Sequence, residues 1–298
     1  MCICCYNLGQ QKDICGRIKD RHPELVTGKL KVMKRLLIIT LLLGALACDA
    51  IAGHGERIRH KKNTISPSFL QHCAFVSVDI QESAEPASVT DAQLPEAWKE
   101  MGFSAEDVNA ANKFAWQVAL PNAVKVAETC RNLGIPRIFI HWGYLFEDAM
   151  DLDPDIRKAM REEYGTDYSR YSGHIRQPGS QPVKAFHIQP DDYVLPKAAQ
   201  DAFKSCNIEF VLRNLGVKNI VFVGGHTNAG GCLGKTARSA RRLGYKTLCI
   251  RDATYNARES SREKDIKDTW YTHVMTTDEF IHFAQQANKA ATYPSNTP

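Results

Sequence analysis

The chain has 298 residues, 44% hydrophobic and 24% charged, with a formal net charge of +5. That profile supplies one substantial core and excludes disordered, collagenous and low-complexity classes. The basic excess belongs to the first 52 residues. Beyond them 30 Lys and Arg face 29 Asp and Glu, which also excludes a nucleic-acid footprint.

Met33-Lys34-Arg35 is a basic start, Leu36 to Ala47 a short apolar run, and Ala45-Leu46-Ala47 and Ala50-Ile51-Ala52 are small-x-small sites. This is the pattern of a secretory signal peptide, and the run is too short to span a bilayer. Residues 1–52 are therefore read as an upstream extension plus a signal peptide starting at Met33, and 53–68 as a flexible polar tail. A single domain is expected over 69–298. Cleavage would place it in the periplasm or outside the cell, without stable membrane insertion. Cys48 after Ala-Leu-Ala leaves a lipid anchor as a second reading. Processing leaves Cys73, Cys130, Cys206, Cys232 and Cys249, an odd set in an exported protein, so at least one thiol stays free. None has CxxC spacing, and no metal or redox pair is expected.

Cys73 to Ile80, CAFVSVDI, is the first predicted strand, running into Asp79-Ile80-Gln81. An acidic residue at the carboxyl end of a buried strand is well placed for a site. Glu82 to Leu94 reads as loop. Glu106 to Leu133 is helical by period, with a break near Pro121 and a stop at Gly134. Ile135 to His141 is the second strand. Residues 143–192, rich in Tyr, Gly and Pro, carry one short helix over Asp155 to Glu163. They otherwise read as a long excursion covering a site and holding most of its pocket. Tyr193 to Leu195 is a brief strand before Lys197, and Ser205 to Leu215 an amphipathic helix closed by Gly216.

Asn219 to Val223 is a β-branched and aromatic run closed by Gly224-Gly225, the signature of a buried parallel strand. A helix is predicted from Cys232, because Leu233, Ala237, Ala240 and Leu243 share a face and Gly244 stops it. A thiol thus stands at a helix N-terminus, where the dipole and unused N–H groups favour a thiolate and an oxyanion beside it. A buried structural cysteine is the plain alternative. Lys246 to Ile250 is another strand, and helices near Ser260 to Trp270 and Thr277 to Ala290 finish the chain. This alternation predicts one three-layer α/β/α domain with a mostly parallel central sheet.

Asp79, Lys197 and Cys232 together would supply a base, a cation and a nucleophile. With VDIQ ending in Asp79 and Gln81, Lys197 six residues before Phe203, and CLGKTARSA followed by LGYKTLCIRDAT, the sequence resembles the isochorismatase-like cysteine hydrolase superfamily. Nicotinamidases, N-carbamoylsarcosine and ureidoacrylate amidohydrolases and biuret hydrolases belong to it. The resemblance covers roughly Ala74 to Thr277. It implies Asp79, Lys197 and Cys232 as catalytic residues acting through a thioester, with backbone N–H groups of Gly231 and Cys232 as the oxyanion hole. Gln81, Trp142 and Phe203 follow as substrate-binding candidates, with Tyr144 a further pocket wall, and His226 as a loop residue able to orient substrate. The substrate it implies is a small amide or ureide, with no cofactor, and the assembly a homo-oligomer.

Two departures stand out. Four residues separate Thr227 from Cys232 where the family usually has two, and the Asp-x-His-x-x-His metal site of nicotinamidases is missing, since His141 is followed by Trp142-Gly143-Tyr144. No metal is expected, and nicotinamide is disfavoured. An ether hydrolase on the same scaffold and a catalytically silent exported binding protein are the alternative functions.

Overall fold

A computed structural model describes residues 65–82, 87–94, 96–171, 173–269 and 271–292. The predicted extension and signal peptide, Cys48, and residues 53–64 of the predicted tail lie outside that set. The last residues of that tail already enter a 3-10 turn, Pro67–His72, whose Ser66 hydroxyl caps it and whose Phe69 is buried.

The strands are Cys73–Val78 (β1), Arg137–Trp142 (β2), Tyr193–Lys197 (β3), Asn219–Gly225 (β4), Lys246–Tyr255 (β5) and His273–Met275 (β6). All pair in parallel, in the order β3-β2-β1-β4-β5-β6. The longer helices are Glu96–Glu100 (α1), Ala105–Phe114 (α2), Leu120–Asn132 (α3), Pro154–Tyr164 (α4), Ala202–Ser205 (α5), Ile208–Asn214 (α6), Cys232–Arg242 (α7), Glu259–Asp268 (α8) and Thr277–Thr292 (α9).

Strands β1, β2 and β4 are buried at every position, which explains their unbroken apolar spelling. Their side chains alternate between two cores, as a period of two requires. Val76, Ile138, Ile140 and Phe222 pack with Leu233 and Ala237 of α7 and Leu212 of α6. Phe75, Phe139, Val221 and Leu248 pack on the opposite side with Val126 and Ala127 of α3 and Phe280 of α9. The result is the expected three-layer sandwich. Truncating a fully buried member such as Ile140 to Ala would cost about 2–5 kcal/mol.

Several local expectations change. The helical stretch over 106–133 does not break at Pro121, which sits in the first turn of α3 where its missing N–H costs nothing. Instead α2 passes through a π-helical turn, Ala115–Ala119, into α3. The predicted 205–215 helix splits into α5 and α6 because Cys206 is extended, at φ -146° and ψ 172°. Strand β6 was not expected: it has three residues and no buried position, too little for a periodic signal.

Strand order reverses between β1 and β4, the edge-to-edge neighbours at the centre of the sheet. The crevice beyond their carboxyl ends is where open α/β sheets place ligands. The excursion between β2 and β3 is tied across that end. Gln81 bridges Pro182, Tyr144 bridges His174, Val183 donates its N–H to the Ile80 carbonyl at 3.2 Å, and Glu82 donates its N–H to that of Gln181 at 2.8 Å.

Candidate active site

Three strand ends and one helix start converge at this crevice. Asp79 follows β1 directly, its N–H bonded to the Ile140 carbonyl of β2 at 2.8 Å. Its φ of 56° is left-handed, a region that Asp tolerates better than most residues and that turns the chain sharply out of the sheet. Lys197 ends β3 beside Trp142 in register. Cys232 opens α7, as its spacing predicts.

The approach of β1 and β4 depends on Gly224. Its φ is +115°, and a Cβ there would stand 2.1 Å from the Val78 carbonyl oxygen. The Gly225–His226 peptide that follows is cis. From it the loop runs to α7, its N–H at Thr227 donating to the Tyr255 carbonyl at 3.2 Å and that of Gly234 to the His226 carbonyl at 3.0 Å.

The structure brings Asp79, Lys197 and Cys232 together. Lys197 Nζ lies 2.9 Å from Asp79 Oδ2, with both side chains fully buried. The same ammonium lies over the Trp142 ring, 5.0 Å from its centroid. The Asp79 carboxyl also interacts electrostatically with the Cys232 thiol, which is 1% exposed. Burial, followed by the negative charge available to Cys232, pushes the Asp79 carboxyl well above its ordinary range, against the opposing pull of Lys197. Proton, thiol and ammonium therefore form one coupled set in a dry site.

A pocket of about 250 Å³ opens beside Asp79. Trp142 and Gln81 line it. Gln81 is also fully committed to holding the wall: its amide nitrogen donates to the carbonyls of Trp142, Gly179 and Ser180 at 3.1, 3.2 and 3.0 Å, and its oxygen accepts from Trp142 N–H at 2.8 Å. Phe203 differs from expectation. It packs in the core against Tyr245, ring centroids 6.2 Å apart, and does not line the pocket. Tyr144, expected as a wall, is buried against His174 instead. Gly231 differs too, because its N–H donates to the Asn228 carbonyl at 2.9 Å and closes a turn. Of the two expected oxyanion donors, only the N–H of Cys232 has no protein acceptor among the described residues.

The pocket does not lie mostly in the excursion, which contributes Gly173, Gln177, Gly179 and Val183. Asn112 of α2 and Trp116 of the π-helical turn supply another wall, and Tyr255 and Asn256 at the end of β5 a third. Such turns within helices recur at functional sites, but no sequence pattern marks this one. The Tyr255 hydroxyl donates to the Asp79 backbone carbonyl at 2.8 Å and so fixes the turn that presents the carboxyl. His226 also lines the pocket, edge-on to Tyr255 at 5.6 Å, and its burial lowers its pKa to about 4. Among the described residues no three of His, Cys, Asp and Glu are gathered as metal ligands.

The Isochorismatase domain family matches residues 73–279, most of the described chain and every residue of this site. The chain belongs to the isochorismatase family. Ureidoacrylate amidohydrolase RutB of Pseudomonas savastanoi pv. phaseolicola is 30% identical to it over 142 residues, 46% of this chain and 57% of that protein. The isochorismatase family protein YwoC of Bacillus subtilis is 26% identical over 54% of this chain and 81% of its own length. The match thus spans little more than half the length of RutB. Among solved structures, a cysteine hydrolase from Pseudomonas syringae pv. phaseolicola 1448A superposes with a TM-score of 0.53 and 18% identity, over 75% of this chain and 95% of that one. An isochorismatase family protein from Burkholderia thailandensis gives 0.51 and 20%, over 74% and 98%. At such identities the likeness is one of fold, and the isochorismatase-like sandwich is shared across it.

Proposed function

We propose that this isochorismatase family member hydrolyses a C–N bond of a small amide or ureide, with Cys232 as nucleophile, Asp79 as proton carrier and Lys197 as the fixed cation. The observation that carries the reading is the buried contact of Lys197 with Asp79 at 2.9 Å, with the thiol that opens α7 near enough to shift the same carboxyl. The match to a relative named for amidohydrolase activity supports it.

Asp79 takes the Cys232 proton, and the thiolate is held by Lys197 and by the positive end of α7. The sulfur attacks the carbonyl carbon, and the resulting oxyanion is met by the Cys232 N–H. A donor of this kind contributes on the order of 3 kcal/mol. The C–N bond then breaks, its electron pair leaving on nitrogen, which receives the proton from Asp79. Water enters, loses a proton to Asp79 and attacks the thioester, releasing the acid and restoring the thiol. A carboxyl whose pKa is raised by burial holds the proton it takes from the thiol more firmly than an ordinary surface Asp would, which suits a group that must carry it to the leaving nitrogen.

A panel of small amides and ureides, assayed for ammonia or amine release with wild type and Cys232→Ala, tests the proposal. Turnover by wild type and none by the variant is expected. Release that is undiminished in Cys232→Ala would remove the thiol from the mechanism. Release of a carbonyl product from a vinyl ether, with no C–N cleavage, would favour the ether-hydrolase alternative.

A further inference from the structure

We infer that the pocket beside Asp79 takes an uncharged amide or ureide and rejects analogues that carry a carboxylate, an inference that rests on the hydrolase reading and narrows its substrate. The first support is the charge inventory. The ionisable groups lining the pocket are Asp79, Glu82, His226 and Tyr255, and no Lys or Arg stands among the described lining residues. Lys197, the cation of the catalytic set, is not a lining residue: its ammonium is held by Asp79 at 2.9 Å and covered by the Trp142 ring. His226 stays neutral above about pH 4 because it is buried. A substrate carboxylate entering this space would be stripped of water with no cation among the lining residues to meet it, and with Glu82 at the wall.

The second support is the uncharged character of the polar side chains on lining residues. The indole Nε1 of Trp142, the Oδ1 of Asn256 and both ring nitrogens of His226 are buried with no protein hydrogen-bond partner among the described residues. The Asn256 amide is oriented by its nitrogen, which donates to Ser261 Oγ at 3.1 Å and to Asp265, so its oxygen is the atom that remains. Indole contributes a donor, the Asn oxygen an acceptor, and a neutral imidazole one of each. All of these side chains are uncharged, so the polar part of the lining adds no cation that would offset the desolvation of an anion. Ile80, Trp116 and Leu120 add an apolar side that accepts a short alkyl chain.

The test uses three ureas of one length: N-propylurea, 3-ureidopropanoate and 2-aminoethylurea, which are neutral, anionic and cationic at pH 7.5. Calorimetric titration of full-length Cys232→Ala measures binding without turnover, and ammonia release by wild type measures the reaction. N-propylurea should bind at least about tenfold more tightly than 3-ureidopropanoate, a gap of ~1.4 kcal/mol or more. Trp116→Arg, at a half-buried wall position, should narrow that gap while still binding the neutral urea. Equal or tighter binding of the carboxylate, preference for the cation, binding of none of the three, or a gap that Trp116→Arg leaves untouched would overturn the inference. Binding with the expected preference but no ammonia from wild type would leave the pocket assignment standing and sink the hydrolase reading alone.

Discussion

Two buried ion pairs sit at opposite ends of the central sheet and are dressed in opposite ways. At the amino ends of β2 and β3, Arg137 meets Asp192 through both Nε, at 2.8 Å, and Nη2, and Asp192 also accepts the Gln189 N–H at 2.7 Å and Arg131 Nη2 at 3.4 Å. Its lone pairs are used up, and the forked geometry is the kind that holds structure. At the carboxyl ends, Lys197 meets Asp79 at a single 2.9 Å contact between fully buried groups. There the carboxyl is shared with a thiol, and its pKa is pushed up rather than tied down. The comparison teaches that burial of a charge pair says little by itself. A saturated carboxylate serves the fold, whereas a carboxyl with one point cation and one transferable proton serves chemistry.

The largest effects should separate the pairs by activity. Lys197→Ala and Asp79→Asn should each cut kcat/KM by about 10³-fold or more, as loss of one member of a concerted set does, measured by ammonia release. Arg137→Ala should leave kcat and KM of the folded protein near wild type. Next comes stability. Arg137→Ala strands Asp192 and should cost ~3–5 kcal/mol in urea unfolding. An equal loss of activity in Arg137→Ala and Lys197→Ala would break the distinction.

A smaller effect sharpens it. Replacing both members of the Asp79–Lys197 pair, Asp79→Asn with Lys197→Met, should abolish the proposed turnover yet leave stability unchanged or raise it by ~1–4 kcal/mol, because an undressed buried pair is costly to the fold. The smallest effect is a pH dependence. His226 has its pKa lowered from 6.5 to about 4 by burial, so between those values the unfolded chain binds a proton that the folded one does not. Its contribution to stability is therefore complete above pH 6.5 and is lost as the pH falls toward 4. His226→Asn should flatten the unfolding free energy across that window relative to wild type.

Much of the frame can be read from the chain alone. Strands β1, β2 and β4 spell continuous apolar runs because both faces are covered, and α7 shows a clean helical face whose first residue is Cys232. The meeting of Asp79, Lys197 and Cys232 follows from their comparable places at strand and helix ends. What stays hidden is set by tertiary approach. Trp116 and Asn112 reach the pocket through a π-helical turn in a segment that looks like ordinary helix, and Asn256 through the far end of a ten-residue strand expected to stop at Ile250. Phe203 has the right spacing from Lys197 for a wall but turns into the core against Tyr245. No local pattern distinguishes those fates.

The central claim is that Cys232 is activated by its buried neighbours, and thiol alkylation tests it most directly. Burial lifts the thiols of Cys206 to about 11 and Cys249 to about 12, and those of Cys73 and Cys130 far above their ordinary value. Iodoacetamide, itself a small neutral amide, should therefore label Cys232 first at pH 7.5 by peptide mapping, ahead of the more exposed Cys206, and Asp79→Asn should slow that labelling. Labelling of Cys206 first, at a rate indifferent to Asp79, would contradict the account.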